Sequence, residues 1–199
     1  IKHDVERISY AYTKKICGGE ISVVFYDMTT LYFEAAQEDD LRKTGFSKDG
    51  KHSCPQIFLG LLVTTGGNPI GYGIYEGNIH EGKTLVPMIK DLAGRHGFDH
   101  PVVIADAGLL SKKNIEDLEA EKYEYILGAR VKSETAEVKE AILGMNLENG
   151  DVRCIDKANG VRLIVSMSDK RAAKDEAMRK KGLQRLEKRF QTGKLTKAN

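Results

Sequence analysis

The stretch ISVVFY, residues 21–26, is β-branched or aromatic almost throughout and stops at Asp27. A short run that is apolar on both faces predicts a strand in the middle of a sheet, and MTTLYFE at 28–34 can extend it. Residues 1–19 read as a short polar lead-in, and residues 38–54 as a polar loop with Gly45 and Gly50, expected to be mobile. Residues 56–65 and 70–75 predict an antiparallel hairpin joined by GGNP, where glycine supplies positive φ and Pro69 begins the second strand. From Thr84 the period changes: Leu85, Met88, Ile89 and Leu92 recur at helical spacing until Gly94 and Gly97. Pro101 then introduces VVIA, a second run apolar on both faces, which also ends in an acid, Asp106. Ser111 is placed to cap a helix carrying Ile115 and Leu118, residues 123–131 predict a strand, and Ser133 is placed to cap a helix that Gly144 ends. Residues 151–168 predict two strands around Asn159-Gly160. A highly charged helix follows over 170–190, with Leu183, Leu186 and Phe190 on a thin apolar stripe.

Composition narrows the class. With 199 residues, 41% hydrophobic and four prolines, the chain is long enough for one main domain with a small appendage. The net charge of +2 hides a division, since eleven Lys and Arg face only four Asp and Glu after Ser168. The last 31 residues therefore carry about +7 and the rest about −5. No apolar run reaches the roughly 20 residues of a membrane span, and no leader opens the chain, so a soluble, cytoplasmic protein is expected. Cys17, Cys54 and Cys154 lack C-x-x-C spacing, and the five histidines form no metal motif, which argues against disulfides and structural zinc. The start at Ile1 and the Lys-rich end suggest a fragment of a longer protein.

Two patterns carry candidate chemistry. GNIHEGKT, residues 77–84, satisfies the phosphate-loop pattern G-x-x-x-x-G-K-[ST], which raises a nucleotide-binding ATPase using Lys83 and Thr84 as one reading. Its physics is poor. A phosphate cradle turns successive backbone N–H groups inward and favours small residues, whereas this loop holds Ile79, His80 and the anionic Glu81. The preceding strand also pairs antiparallel with its predecessor, where that fold needs a central parallel strand. The alternative is a strand-to-helix connection turned by Gly77 and Gly82 and capped by Thr84.

The second pattern is the pair Asp27 and Asp106, each closing a strand that reads as buried on both faces. A single strand-terminal Asp ordinarily begins a solvated loop. Two of them on neighbouring strands would lie within a few ångströms, where a shared Mg²⁺ or Mn²⁺ relieves their repulsion. Hard oxygen ligands with open positions suit phosphoryl transfer by two metal ions.

The order of elements is that of an α/β, ribonuclease H-like fold: a mixed five-stranded sheet flanked by helices, here with a β-hairpin insertion and a basic C-terminal helix. Its first and fourth strands lie side by side. The residues also carry a resemblance. YDMTTLYFE (26–34), GYGIYEGNIHEGKTL (71–85) and VVIADAGLLS (102–111) resemble stretches of the DDE-type transposases of bacterial insertion sequences, those with a β-rich insertion in the catalytic domain. The resemblance covers roughly residues 20–190 and implies that the G-N-x-x-x-x-x-T stretch binds no nucleotide cofactor. It implies three segments: a lead-in at 1–19, an incomplete catalytic core at 20–146, and the start of the insertion at 147–199. Asp27 and Asp106 become the first two members of an acidic triad holding two Mg²⁺ (or Mn²⁺) ions, one activating water or a DNA 3′ hydroxyl and one stabilising the leaving oxygen. The implied reaction is transesterification at a DNA phosphodiester, on element ends and target DNA, with a homodimer as one form of the synaptic complex and the bacterial nucleoid as its place. The third member is a Glu within a Tyr, Arg, Glu, Lys pattern. Neither Arg185 nor Glu187 has that spacing, so the Glu is expected beyond Asn199, and this piece alone is expected to be inactive. A DNA-binding remnant without chemistry is the other reading this leaves open.

Basic segments supply candidate DNA contacts: Arg42, Lys43, Lys48 and Lys51 with His52 in the loop, and Arg171, Lys174, Arg179, Lys180, Lys181, Arg185, Lys188 and Arg189 in the last helix. Asp39, Asp40 and Asp49 dilute the loop. Phe46 is a lone loop aromatic, placed either to stack on a base or to pack beneath the loop.

Overall fold

A computed structural model describes the whole chain except residues 36, 48, 98, 99, 110, 158, 159 and 194–199. The described residues form two compact units, 1–129 and 130–199.

The first unit is built on a five-stranded sheet in the order β3-β2-β1-β4-β5. β1 (Val23–Tyr32), β2 (Gln56–Val63) and β3 (Pro69–Glu76) are antiparallel neighbours, while β4 (Val102–Ala105) and β5 (Tyr125–Leu127) run parallel to β1. The expected mixed α/β sheet is thus present, with the first and fourth strands adjacent. β1 continues past Asp27, and residues 123–131 contribute only three strand residues.

The core lies on one face of the sheet. Val24 and Tyr26 of β1, Leu62 of β2, Ile70 of β3 and Val103 of β4 pack there against Leu85, Met88, Ile89 and Leu92 of helix α2 (Leu85–His96). Gly71 permits this closeness, because a Cβ there would meet Leu92 at 2.4 Å. α2 runs through Gly94 and ends at Gly97, whose left-handed φ of 58° suits glycine. Helix α3 (Lys112–Ala120) is capped as expected, with Ser111 Oγ accepting from the Asn114 N–H at 3.1 Å.

The opposite face is open, which corrects the expectation of strands buried on both faces. Phe25 is 38% exposed, Leu61 40%, Ile74 42% and Ile126 51%. The strands therefore alternate, and their unbroken apolar runs fill two faces of which the described residues cover one.

Residues 1–19, read as a polar lead-in, contain a fifteen-residue helix, α1 (Lys2–Ile16). It closes the free edge of β3. Glu6 accepts from the Tyr72 N–H at 3.2 Å, and the Ser9 and Thr13 hydroxyls donate to the Pro69 carbonyl at 2.7 and 3.0 Å. An unpaired strand edge is thereby blunted. Glu6 is held by Arg95, which also binds Asp91 at 2.5 Å.

In the second unit, α4 (Ala136–Gly144) is capped by Thr135 rather than Ser133, because residues 131–133 form a 3₁₀ turn first. β6 (Val152–Asp156) and β7 (Arg162–Ser166) form the expected hairpin; Asn159 of its turn lies outside the described residues. Lys157 reaches Glu134 at 2.8 Å. α5 (Asp169–Gln191) follows, capped by Ser168.

Candidate active site

β1 and β4 keep register from Val23 opposite Val102 to Tyr26 opposite Ala105. Asp27 and Asp106 are the next residues after this last pair, so the register, continued by one step, brings them side by side on segments about 4.8 Å apart. There β4 stops, whereas β1 remains paired to β2 with Asp27 opposite Leu61. Asp27 thus stands where one flank of β1 falls free. Because Val24 and Tyr26 face the core, alternation carries Asp27 to the open side, while Asp106 follows Ala105 just past the end of β4. Both are exposed, so neither bears the burial cost inferred from the sequence.

Backbone N–H groups orient each carboxylate. Asp27 Oδ1 accepts from the Met28 N–H at 2.8 Å, and Asp106 Oδ1 accepts from the Gly108 N–H at 2.8 Å within a turn closed by Leu109 N–H to the Asp106 carbonyl at 3.2 Å. Gly128 leaves room for that turn, since a Cβ on it would lie 2.6 Å from the Ala107 nitrogen. A third carboxylate comes close. A Cβ on Gly108 would lie 3.0 Å from Asp106 Oδ1 and 3.2 Å from Glu81 Oε2, so these two acids converge on one point. In the sequence Glu81 spoke only against a phosphate site; its approach to Asp106 depends on the fold.

Two carboxylates fit a hard divalent cation such as Mg²⁺, which keeps several waters and is held by one or two carboxylates together with substrate phosphates. Among the described residues no group of three or more His, Cys, Asp or Glu side chains could hold a metal by itself.

The GNIHEGKT loop spends its polar groups internally. The Ile79 N–H donates to the Glu76 carbonyl, Gly82 N–H to His80 Nδ1, Lys83 N–H to the His80 carbonyl and Thr84 N–H to the Glu81 carbonyl, at 2.9 to 3.2 Å. Thr84 occupies the N-cap position of α2 without a side-chain cap bond. Its hydroxyl instead accepts from Tyr26 Oη at 2.8 Å and donates to the Glu81 carbonyl at 2.7 Å. β3, which precedes the loop, is an antiparallel edge strand. No anion cradle is formed by these amides.

The transposase DDE domain family matches residues 18–194. The chain belongs to this family. DDE transposases generally use divalent metal ions, in keeping with the pair of acids. No curated protein matches significantly. Among solved structures, a piggyBac transposase synaptic complex with hairpin DNA is 15% identical over 75% of this chain and 31% of its own, with a TM-score of 0.49. A Mos1 transposase paired-end complex with the left transposon end is 12% identical over 61% of this chain and 39% of its own (TM-score 0.37). A Mos1 mariner paired-end complex with Mn is 11% identical over 60% and 40% (TM-score 0.35). The chain spans less than half the length of each.

The sequence-selected basic residues divide. In the loop, Arg42 pairs with Asp39 at 2.6 Å and lies over the Phe33 ring, Lys43 bridges to Gln56, and Lys51 lies over Tyr32. With Arg42 beside it, the Asp39 carboxyl is held down at about 2, chiefly by the Arg42 N–H and side chain. Lys48 lies outside the described residues. Phe46 is 75% exposed, 6.3 Å from His52. The α5 cations are all exposed; Arg171 pairs with Asp175 and Lys180 with Glu176 along the helix. No helix among the described residues is long and apolar enough to cross a membrane.

Proposed function

We propose that this chain is the catalytic-domain portion of a bacterial insertion-sequence transposase, acting on element ends and target DNA by metal-dependent cleavage and strand transfer. The reading is supported above all by Asp27 of β1 and Asp106 just past β4, which follow directly on the last registered pair of these neighbouring strands. Asp27 and Asp106 would hold Mg²⁺ or Mn²⁺, with two ions in the complete site. A bound divalent ion supplies Lewis-acid stabilisation at the phosphoryl group and an activated water or 3′ hydroxyl. The Met28 and Gly108 N–H groups fix one oxygen of each carboxylate, so the acids need little reordering when the site fills. A third acid, from a Glu that the Tyr, Arg, Glu, Lys pattern would mark, completes the site, and the chain alone is inactive without it. Residues 147–199 begin the insertion. Basic residues of the 38–54 loop and one face of α5 contact DNA phosphates, a homodimer holds the paired ends, and the protein works at the bacterial nucleoid.

Mn²⁺ titration of the purified chain tests this reading. Weak binding is expected, lost in Asp27→Asn and in Asp106→Asn. Unchanged affinity in both variants would remove the metal site and leave the DNA-binding remnant as the surviving account.

A further inference from the structure

The cations of α5 are sorted around its axis. At about 100° per residue, Lys170, Lys174, Lys181, Arg185 and Lys188 fall within a sector of about 60°. Arg171 and Arg189 flank it on one side. The four acids of the helix, Asp169, Asp175, Glu176 and Glu187, all lie outside this sector. Lys174, Lys181, Arg185, Lys188 and Arg189 enter no ion pair among the described residues, and every one of these side chains is exposed. A run that reads in sequence as mixed charge is therefore a one-signed strip on the folded helix. From Lys170 to Lys188 the strip is about 27 Å long at 1.5 Å per residue.

We infer that this strip is a binding surface for the phosphate backbone of duplex DNA, with Arg179 and Lys180 outside it. DNA presents one negative charge per roughly 1.7 Å of axis, so a straight row of cations of this length meets phosphates over about eight base pairs. A row of like charges along one line matches the repeat of the phosphates, whose contacts position DNA rather than select its sequence. An anionic membrane fits less well. Leu183, Leu186 and Phe190, the apolar cluster that would enter lipid, centre about 160° from the middle of the strip, which would hold the cations off the surface, and Met178 alone lies beside it. Arg179 and Lys180 share that other side, and Lys180 is already engaged by Glu176 at 2.8 Å. The inference rests on the transposase reading for the identity of the partner, DNA, but not for the metal chemistry.

The test is fluorescence anisotropy of a labelled random-sequence 20-base-pair duplex, in EDTA so that metal binding plays no part, between 50 and 200 mM salt. The full 199-residue chain is compared with Lys174→Gln/Lys181→Gln/Arg185→Gln and with an off-strip control, Arg179→Gln/Lys180→Gln. The triple variant should bind at least tenfold more weakly, with a log–log salt slope shallower by about 2 to 3, while the control stays within about twofold. Matching far-UV circular dichroism excludes loss of the helix. Equal losses in triple and control, an unchanged triple variant, or tighter binding to phosphatidylserine vesicles than to the duplex would each overturn the assignment. Failure here with intact Mn²⁺ binding would leave the active-site reading standing, and the reverse result would leave the strip standing.

Discussion

The Thr84 hydroxyl is fully buried and bonded on both sides, to Tyr26 and to the Glu81 carbonyl. Tyr26 stands one residue before Asp27, and burial pushes its phenol well above the ordinary range, so it serves as a neutral donor. Thr84→Val keeps the shape but takes the Thr84 oxygen from the Tyr26 hydroxyl, leaving it Tyr75, and frees the Glu81 carbonyl, which should cost about 1–3 kcal/mol in urea denaturation. Lys83→Ala, at an exposed position, should change stability by less than about 0.5 kcal/mol. Neither should alter ATP affinity, whereas tight ATP binding lost on Lys83→Ala would revive the phosphate-loop reading. At Asp106 the telling residue is Gly128. A Cβ there meets backbone at 2.6 Å, so Gly128→Ala should shift the Asp106 turn, cost about 1–3 kcal/mol and weaken Mn²⁺ binding. The milder contacts at Gly108 are with carboxylate oxygens at 3.0 and 3.2 Å, which can move; Gly108→Ala should weaken Mn²⁺ binding with little loss of stability. That Asp27 and Asp106 fall at the ends of matched segments of neighbouring strands was legible, because each closes a short apolar run and the order of elements sets β1 beside β4. The approach of Glu81 to Asp106 was not, since residues 25 apart in sequence meet only through the fold.

Among the elements, α1 escaped the sequence reading for a physical reason. Its buried residues are Glu6, Tyr10 and Thr13, while Ile1, Val5, Ile8, Tyr12 and Ile16 are exposed, so the usual rule of an apolar inner face is inverted. The helical spacing of those apolar positions was the available signal. α1 is pinned by Glu6, and breaking such a buried pair from one side costs about 3–5 kcal/mol, the loss expected for Glu6→Ala in urea denaturation. The pin is also sensitive to acid. Burial alone would raise the Glu6 carboxyl, but the Arg95 hydrogen bond, the Tyr72 N–H and the charges of Arg95 and Lys2 together bring it below its ordinary 4.5. A lowered folded pKa means stabilisation that is complete above the unfolded value and disappears as pH falls through the folded one. The stability gap between wild type and Glu6→Gln should therefore be constant near neutrality and close below about pH 4.5; a gap independent of pH would show that Glu6 is not ionised when folded. Strand and helix order was readable from periodicity, but limits were not. β1 outruns Asp27 because its pairing with β2 continues after β4 has ended.

For the molecule as a whole, the sheet order followed from hairpin connections and helical crossovers, while the exposure of its faces did not, because an apolar run cannot say whether a cover is present. Phe25, Leu61, Ile74 and Ile126 leave an apolar surface in water. Such surfaces bind dye and promote association. The isolated chain should bind an anilinonaphthalene dye and self-associate with concentration, and Leu61→Lys/Ile74→Lys should reduce both; light scattering and dye fluorescence check this.

The greasy side of the sheet also carries Asp27, with Asp106 at the neighbouring strand's end. Anything that shelters Phe25 and Ile126 from water must at the same stroke lower the dielectric around two neighbouring negative charges. Their mutual repulsion then becomes costly, and a dication between them is gripped correspondingly harder. On this architecture a cover over the sheet and a cation at the acids would be thermodynamically linked, each strengthening the other.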